Sequence, residues 1–260
     1  MKLPLYQVDA FTDKLFGGNP AAVCPLKEWL PDIVMQKIAA ENNLSETAFF
    51  VTNQDGFHLR WFTPAVEVPL CGHATLASAH VLFNHLHYPE NEIRFHSLSG
   101  LLKVKKEEGL LTLDFPADPP VKVETPSLID TILKTKPVEV WKGKMRYMVL
   151  LSSQSAVESL SPDFSLMMHL DGRGVIATAK GNDVDFVSRF FAPKVGINED
   201  PVTGGAHTVL IPYWAKILGK NELIARQVSK RGGYLKCKLR SDRVEMSGNA
   251  VSYLVGEIFI

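Results

Sequence analysis

One stretch occurs twice in this chain, and it restricts the fold more than any other feature. The first copy is Arg60-Trp61-Phe62-Thr63-Pro64, a short connector, then Leu70-Cys71-Gly72-His73-Ala74-Thr75 and an apolar run to Phe83. The second is Arg189-Phe190-Phe191-Ala192-Pro193, a connector longer by three residues, then Val202-Thr203-Gly204-Gly205-Ala206-His207 and a run through Val209, Leu210, Ile211, Tyr213 and Trp214. Both copies read Arg, two aromatics, a small residue, Pro, a loop, Gly, then an apolar segment. Two anchors in the same order indicate an internal duplication.

Each copy has a physical meaning. The Arg-aromatic-Phe-x-Pro run predicts a strand end, where Pro stops ladder pairing. The glycines mark a corner into a helix. Residues 74–83 and 206–218 are apolar or small on nearly every side, which predicts buried helices. A buried helix leaves its first N–H groups without intrahelical partners, and glycine lets a ligand approach them. Those donors, with the positive end of the dipole, suit a small anion. Two such corners related by a pseudo-twofold are expected to converge on one anion. The plainer alternative is that Gly72 and Gly204 only relieve crowding.

A chain of 260 residues can bury one large core or two medium lobes. The 28 basic residues balance the 28 acidic ones, which argues against a dedicated nucleic-acid or anionic-membrane binder. Three cysteines, Cys24, Cys71 and Cys237, without a Cys-x-x-Cys, point to a reducing compartment. The N-terminus leads straight into a strand pattern, and no apolar run is long enough to span a bilayer. The cytoplasm is therefore the expected location. No His/Cys cluster has metal-ligand spacing, and no Walker loop is present.

Along the chain, residues 3–11 predict a strand, Phe16-Gly17-Gly18-Asn19-Pro20 a turn, and residues 21–23 an extended run. Pro31 and Asp32 open a helix to about Glu41, with Ile33, Val34, Ile38 and Ala39 as its apolar face. Residues 45–51 predict a strand buried on both sides, with Glu46 at its mouth. A carboxylate partly removed from water has its charged form disfavoured, which suits a general acid/base. Pairing with an Arg or capping a turn is the alternative for Glu46. Short strands follow at 93–95, 101–105 and 110–115. The proline-dense Phe115-Pro116-Ala117-Asp118-Pro119-Pro120 is the expected lobe boundary, dividing residues 1–116 from 117–260, although the last strand could return to the first lobe. Gly172-Arg173-Gly174 precedes a strand where a dinucleotide fingerprint needs a helix, so that reading is rejected. Asp200, ahead of the second glycine pair, reads either as a cap or as a second ionisable group. Pro212 falls inside the second buried helix and should kink it.

Four segments together resemble the phenazine-biosynthesis isomerase-like family, which shares the diaminopimelate epimerase fold. They are Phe16-x-Gly18-Asn19-Pro20-Ala21-Ala22-Val23, Asn43-Leu44-Ser45-Glu46-Thr47-Ala48-Phe49, Cys71-Gly72-His73-Ala74-Thr75 and Glu199-Asp200-Pro201-Val202-Thr203-Gly204. The resemblance implies an α+β fold of two pseudo-symmetric lobes, each a strongly curved, mostly antiparallel sheet around a central helix, with the site in a cleft between them. It implies Glu46 as general acid/base, His73 and Asp200 as further site residues, and a carboxylate held at Gly72-His73 and Gly204-Gly205. Asn19 and Cys71 join them as substrate-binding positions, and no metal or other cofactor is implied. Two departures stand out. The family often has Ser where this chain has Gly205. Cys71 matches one thiol of the two-thiol epimerases, but the second copy carries no cysteine.

The expected function is a cofactor-independent isomerase moving a proton on a small carboxylated metabolite through Glu46. The alternatives are an amino-acid racemase using Cys71, or a non-catalytic binding module of the same fold. The expected partners are the substrate and a second copy of the chain as a homodimer, with no nucleic acid and no membrane.

Overall fold

The computed structural model describes every residue, Met1–Ile260. The chain divides into two units, residues 1–114 with 247–260, and residues 115–246. It is a mixed α/β chain rich in strands and with few helices.

Unit 1 contains β1 (Lys2–Ala10), β2 (Asn19–Leu26), α1 (Asp32–Asn42), β3 (Glu46–Asn53), β4 (Gly56–Phe62), β5 (Glu67–Val68), α2 (Gly72–Asn84), β6 (Glu92–Ser97), β7 (Gly100–Glu107) and β8 (Leu110–Pro116), whose last two residues pass into unit 2. The final strand, labelled β18 below, covers Ala250–Phe259 and pairs antiparallel with β1. β2 pairs antiparallel with β1 and parallel with β3, β3 antiparallel with β4, and β4 parallel with β6. Every side chain of α2 from His73 to Phe83 is buried, and the helix packs on β1, β2, β3, β7 and β18. That is the all-round burial its composition dictates. A second core gathers Met35, Ile38, Phe49 and Phe62 under α1. Here the structure corrects the expected apolar face of α1: Ile33 is exposed and Met35 takes its place. Met35, Ile38 and Ala39 are one i, i+3, i+4 stripe, and Ile33 lies off it.

Unit 2 contains β9 (Val121–Val123), α3 (Ile129–Leu133), β10 (Glu139–Lys142), β11 (Arg146–Leu150), α4 (Gln154–Glu158), α5 (Phe164–Met167), β12 (Gly174–Lys180), β13 (Phe186–Ala192), β14 (Ile197–Asp200), α6 (Gly204–Leu218), β15 (Glu222–Gln227), β16 (Gly233–Arg240) and β17 (Arg243–Gly248), which leads back to unit 1. Strand β12 starts directly at Gly174, where a dinucleotide fingerprint would need a helix. The helix α6 packs on β11, β15 and β16. Pro212 lies inside it and cannot donate to Thr208 O one turn back. The backbone N–H of Asp118 donates to that carbonyl instead, at 2.9 Å. The proline thus opens an acceptor that ties the 118 segment to α6.

The duplication extends through the pairing registers. Parallel β2–β3 followed by antiparallel β3–β4 matches parallel β11–β12 followed by antiparallel β12–β13. Phe49 faces Arg60 across the first ladder and Ala177 faces Arg189 across the second. Phe62 opposes Glu67 and Phe191 opposes Glu199. Each arginine grips its glutamate through two bonds, Arg60 at 2.7 and 2.7 Å and Arg189 at 2.7 and 2.8 Å. The longer second connector opens in the 3₁₀ turn Pro193–Val195, beside a register shift after Phe191.

The second pair has the heavier structural task. Arg189 Nη1 also donates to Leu160 O at 2.8 Å, Glu158 O at 3.2 Å and Val157 O at 3.3 Å, closing the end of α4. Arg60 instead adds one further hydrogen bond, to Asp32, which is largely exposed. Arg189→Met should therefore cost about 3 kcal/mol, because it strands Glu199 and three carbonyls. Arg60→Met should cost about half as much, since solvent screens its second partner. Urea unfolding of the two variants would show this order. Equal midpoints would contradict it.

Candidate functional site

Glu46 is the first residue of β3, an interior strand whose next five side chains are all buried. The chain reaches it through Asn43, the left-handed C-cap of α1, whose N–H returns to Ala39 O. Thr47 is pinned by Asn42 Nδ2 at 3.1 Å, which fixes where β3 starts. The Glu46 carboxylate is thus held at a strand end, with 13 % of its side chain exposed.

His73 stands beside it, in the first turn of α2, with its side chain 5 % exposed. Its Nε2 lies 3.2 Å from Glu46 Oε2, close but not aligned for a hydrogen bond. On the other side of the ring, Asn19 Nδ2 approaches Nδ1 at 3.1 Å and Cys71 Sγ approaches it at 3.5 Å. An amide NH₂ can only donate, so Nδ1 accepts and the ring proton sits on Nε2, facing Glu46. Burial lowers the His73 pKa to about 3, so the ring is neutral near neutral pH. Glu46 therefore faces a neutral N–H. Asn19 is fully buried at the start of β2. The turn before it needs Gly18, whose φ is +60° and where a Cβ would sit 2.1 Å from Ala10 O.

Cys71 is the N-cap of α2 and gives it no side-chain cap. The first N–H groups of the helix accordingly have no capping partner from that residue. The ligating atoms of Glu46, Cys71 and His73 lie within 4.8 Å of one another, a cluster the spacing in sequence does not reveal. Its geometry is poor for one ion. Cys71 approaches Nδ1 and Glu46 approaches Nε2, so a metal on either nitrogen turns away from one of the other two ligands. The arrangement suits proton handling better.

In unit 2 the matching corner is built differently. Thr203, not Asp200, is the N-cap of α6, and it too provides no side-chain cap. The Thr203 hydroxyl donates to Asp200 Oδ2. Gln227 Oε1 accepts from Thr203 N at 3.0 Å, and Gln227 Nε2 donates to Asp200 O at 2.6 Å. Asp200 is thus anchored, and the N-cap position of α6 belongs to Thr203. His207 is fully buried, with Nδ1 at 2.8 Å from Thr203 O, and burial lowers its pKa to about 4.

Within unit 1 the structure brings together Asn19, Glu46, Cys71, Gly72 and His73. Within unit 2 it brings together Asp200, Gly204 and Gly205. Sequence reasoning missed Arg146, whose guanidinium lies over Gly205. The two are paired by the fold alone, and nothing in the local pattern marks them.

A family model described as phenazine biosynthesis-like protein matches residues 8–256. An uncharacterized isomerase of Pseudomonas aeruginosa is 51 % identical over 258 residues, covering 99 % of each chain. The crystal structure of a phenazine biosynthesis protein of the PhzF family from Enterococcus faecalis is 49 % identical, covers 100 % of both chains and has a TM-score of 0.98. A hydroxyproline epimerase from Agrobacterium vitis, 11 % identical, covers 99 % of this chain and 92 % of its own with a TM-score of 0.62, a likeness of fold alone.

Proposed function

The chain belongs to the phenazine biosynthesis-like family, whose relatives include named isomerases, and we propose that it is an isomerase moving a proton on a small carboxylated metabolite, with Glu46 as the general acid/base. The observation that carries this is Glu46 at the end of a buried strand, 3.2 Å from the Nε2 of a neutral, buried His73.

The chemistry balances on one carboxyl group. Glu46 takes a proton from one carbon and leaves the electron pair delocalised into the substrate. It then returns the proton to a second carbon, and the carboxylate is restored. His73, fixed by Asn19, offers its Nε2–H beside the carboxylate without competing for the proton, because its imidazolium is disfavoured by burial. The start of α2 supplies N–H donors for an anionic group. Asp200 is proposed as a further site residue in unit 2. No step calls for a cofactor.

A thiol route through Cys71 is the second reading, favoured by the 3.5 Å approach of Sγ to His73 Nδ1. It lacks a partner at the duplicated position, where Thr203 is the N-cap of α6 as Cys71 is of α2.

The test is to incubate the protein with a panel of small unsaturated carboxylates in deuterated water and follow carbon-bound deuterium by NMR. An isomerase of this kind should label at least one of them at a migrating position. Failure to label any compound that binds would favour the non-catalytic alternative.

A further inference from the structure

We propose that Arg146 recognises a carboxylate at the start of α6, gripping one carboxylate group of a small organic acid together with the N–H groups of Gly204 and Gly205. The choice of a carboxylate rests on the function proposed above. The placement of the arginine does not.

Arg146 opens β11, and its register partner is Gly174. A Cβ on Gly205 would come within 2.8 Å of Arg146 Nη2 and 3.2 Å of its Cζ, so the guanidinium lies against the first turn of α6. Its Nε is buried without a hydrogen-bond partner. Phe190 flanks the guanidinium, 5.8 Å from ring centroid to Cζ. Burial lowers the Arg146 pKa, while Asp118 and Asp200 raise it and Arg173 lowers it through space. Asp118 accepts from Lys144 N, and Asp200 from the Thr203 hydroxyl. These four charges cancel, so an incoming anion would be held by directed donors and not by net charge. A guanidinium stays charged, and a buried charge is costly until it is paired. A carboxylate matches its fork in two parallel bonds.

The duplication sharpens the assignment. The registers equate Glu46 with Gly174, and Ala21, the β2 partner of Glu46, with Arg146. Gly72 and Gly204 both begin their helices, so the next residues, His73 and Gly205, are also equivalent. Unit 1 places an acid and an imidazole at this corner. Unit 2 has glycine at both of those positions and an arginine where unit 1 has alanine. The side chain that Gly205 lacks leaves the space that Arg146 occupies.

The experiment is a thermal-shift titration with sodium malonate at constant ionic strength. It compares the native chain with Arg146→Met, Arg146→Lys, Gly205→Ala and Glu46→Gln. Malonate should stabilise the native chain beyond sodium chloride. Arg146→Met should weaken its apparent affinity by roughly tenfold or more, the loss of a charge-assisted pair. Arg146→Lys, a point charge without the fork, should fall between them. Gly205→Ala should weaken malonate as well, although alanine is the better helix former, a split that a purely structural arginine would not produce. If Arg146→Met does not fold, Gly205→Ala decides. The proposal is overturned if both variants take malonate as the native chain does, or if malonate acts no differently from chloride. Glu46→Gln should keep the malonate response while losing deuterium labelling, so the two proposals fail separately.

Discussion

Between about pH 7 and pH 5 the folded protein is expected to lose roughly 6 kcal/mol of stability, enough to unfold many domains. The cause is three buried histidines. Burial lowers His73 to about 3 and His207 to about 4. His80 falls to about 4, through burial and the positive charges of His85 and Lys106. Each has an ordinary value of 6.5, so each is neutral in the folded chain where the unfolded chain takes up a proton. The sign follows: their contribution is fully present above 6.5 and is lost as the pH falls toward the folded values. Each costs roughly 2 kcal/mol at pH 5. The paired carboxylates Asp32, Glu139, Asp171 and Glu222 are held below their ordinary values and so add their loss only at lower pH. Urea unfolding across this range would measure the slope. His207→Asn should reduce it by about a third, one group of the three. Stability unchanged from pH 7 to pH 5 would show that these rings carry protons in the folded chain.

His80 also explains why this titration should be cooperative with structure. Its Nδ1 accepts from Asn84 Nδ2 at 2.9 Å, so its Nε2–H donates to Ser252 Oγ at 2.9 Å. Ser252 in turn donates to His85 Nε2 at 2.7 Å. A second proton on His80 goes to Nδ1 and displaces the Asn84 amide at the end of α2, while Nε2–H keeps its bond to Ser252 of β18.

Much of this architecture is visible in the sequence, for physical reasons that can be named. The duplicated Arg-aromatic-x-Pro stretch stands out because each arginine must satisfy a glutamate across the next strand, Glu67 or Glu199. The all-apolar helices stand out because nothing on α2 between His73 and Phe83 reaches solvent. The phase of α1 was not visible: Ile33-Val34 and Met35 each support an apolar stripe, and only packing against β3 selects the one through Met35. Glu46 is legible as a carboxylate at the end of a buried strand. Its pairing with His73 is not, because 27 residues separate them and the β2–β3 register brings Asn19 in as the third member. Arg146 was hidden for a different reason. Its role depends on the side chain that Gly205 lacks, and an absence leaves no periodic signal.

Replacing Glu46 by glutamine should have the largest effect on activity. Glutamine keeps the shape of the side chain and its place at the end of β3, so the fold should stay within about 1 kcal/mol of the native chain, as for a partly exposed polar change. It cannot take or return a proton, and loss of a general acid/base costs about two to four orders of magnitude in rate. Cys71→Ser, which leaves Glu46 and the Asn19–His73 bond in place, should keep its rate within about tenfold, since the proposed route passes no proton through the thiol. The decisive measurement is the rate of deuterium entry from solvent into a carboxylate that the native chain labels, followed by NMR for the native, Glu46→Gln and Cys71→Ser proteins, with thermal unfolding as the control for folding. Glu46 as the acid/base requires labelling to vanish in folded Glu46→Gln and to persist in Cys71→Ser. Labelling that persists in Glu46→Gln and vanishes in Cys71→Ser would contradict it and place the chemistry on the thiol.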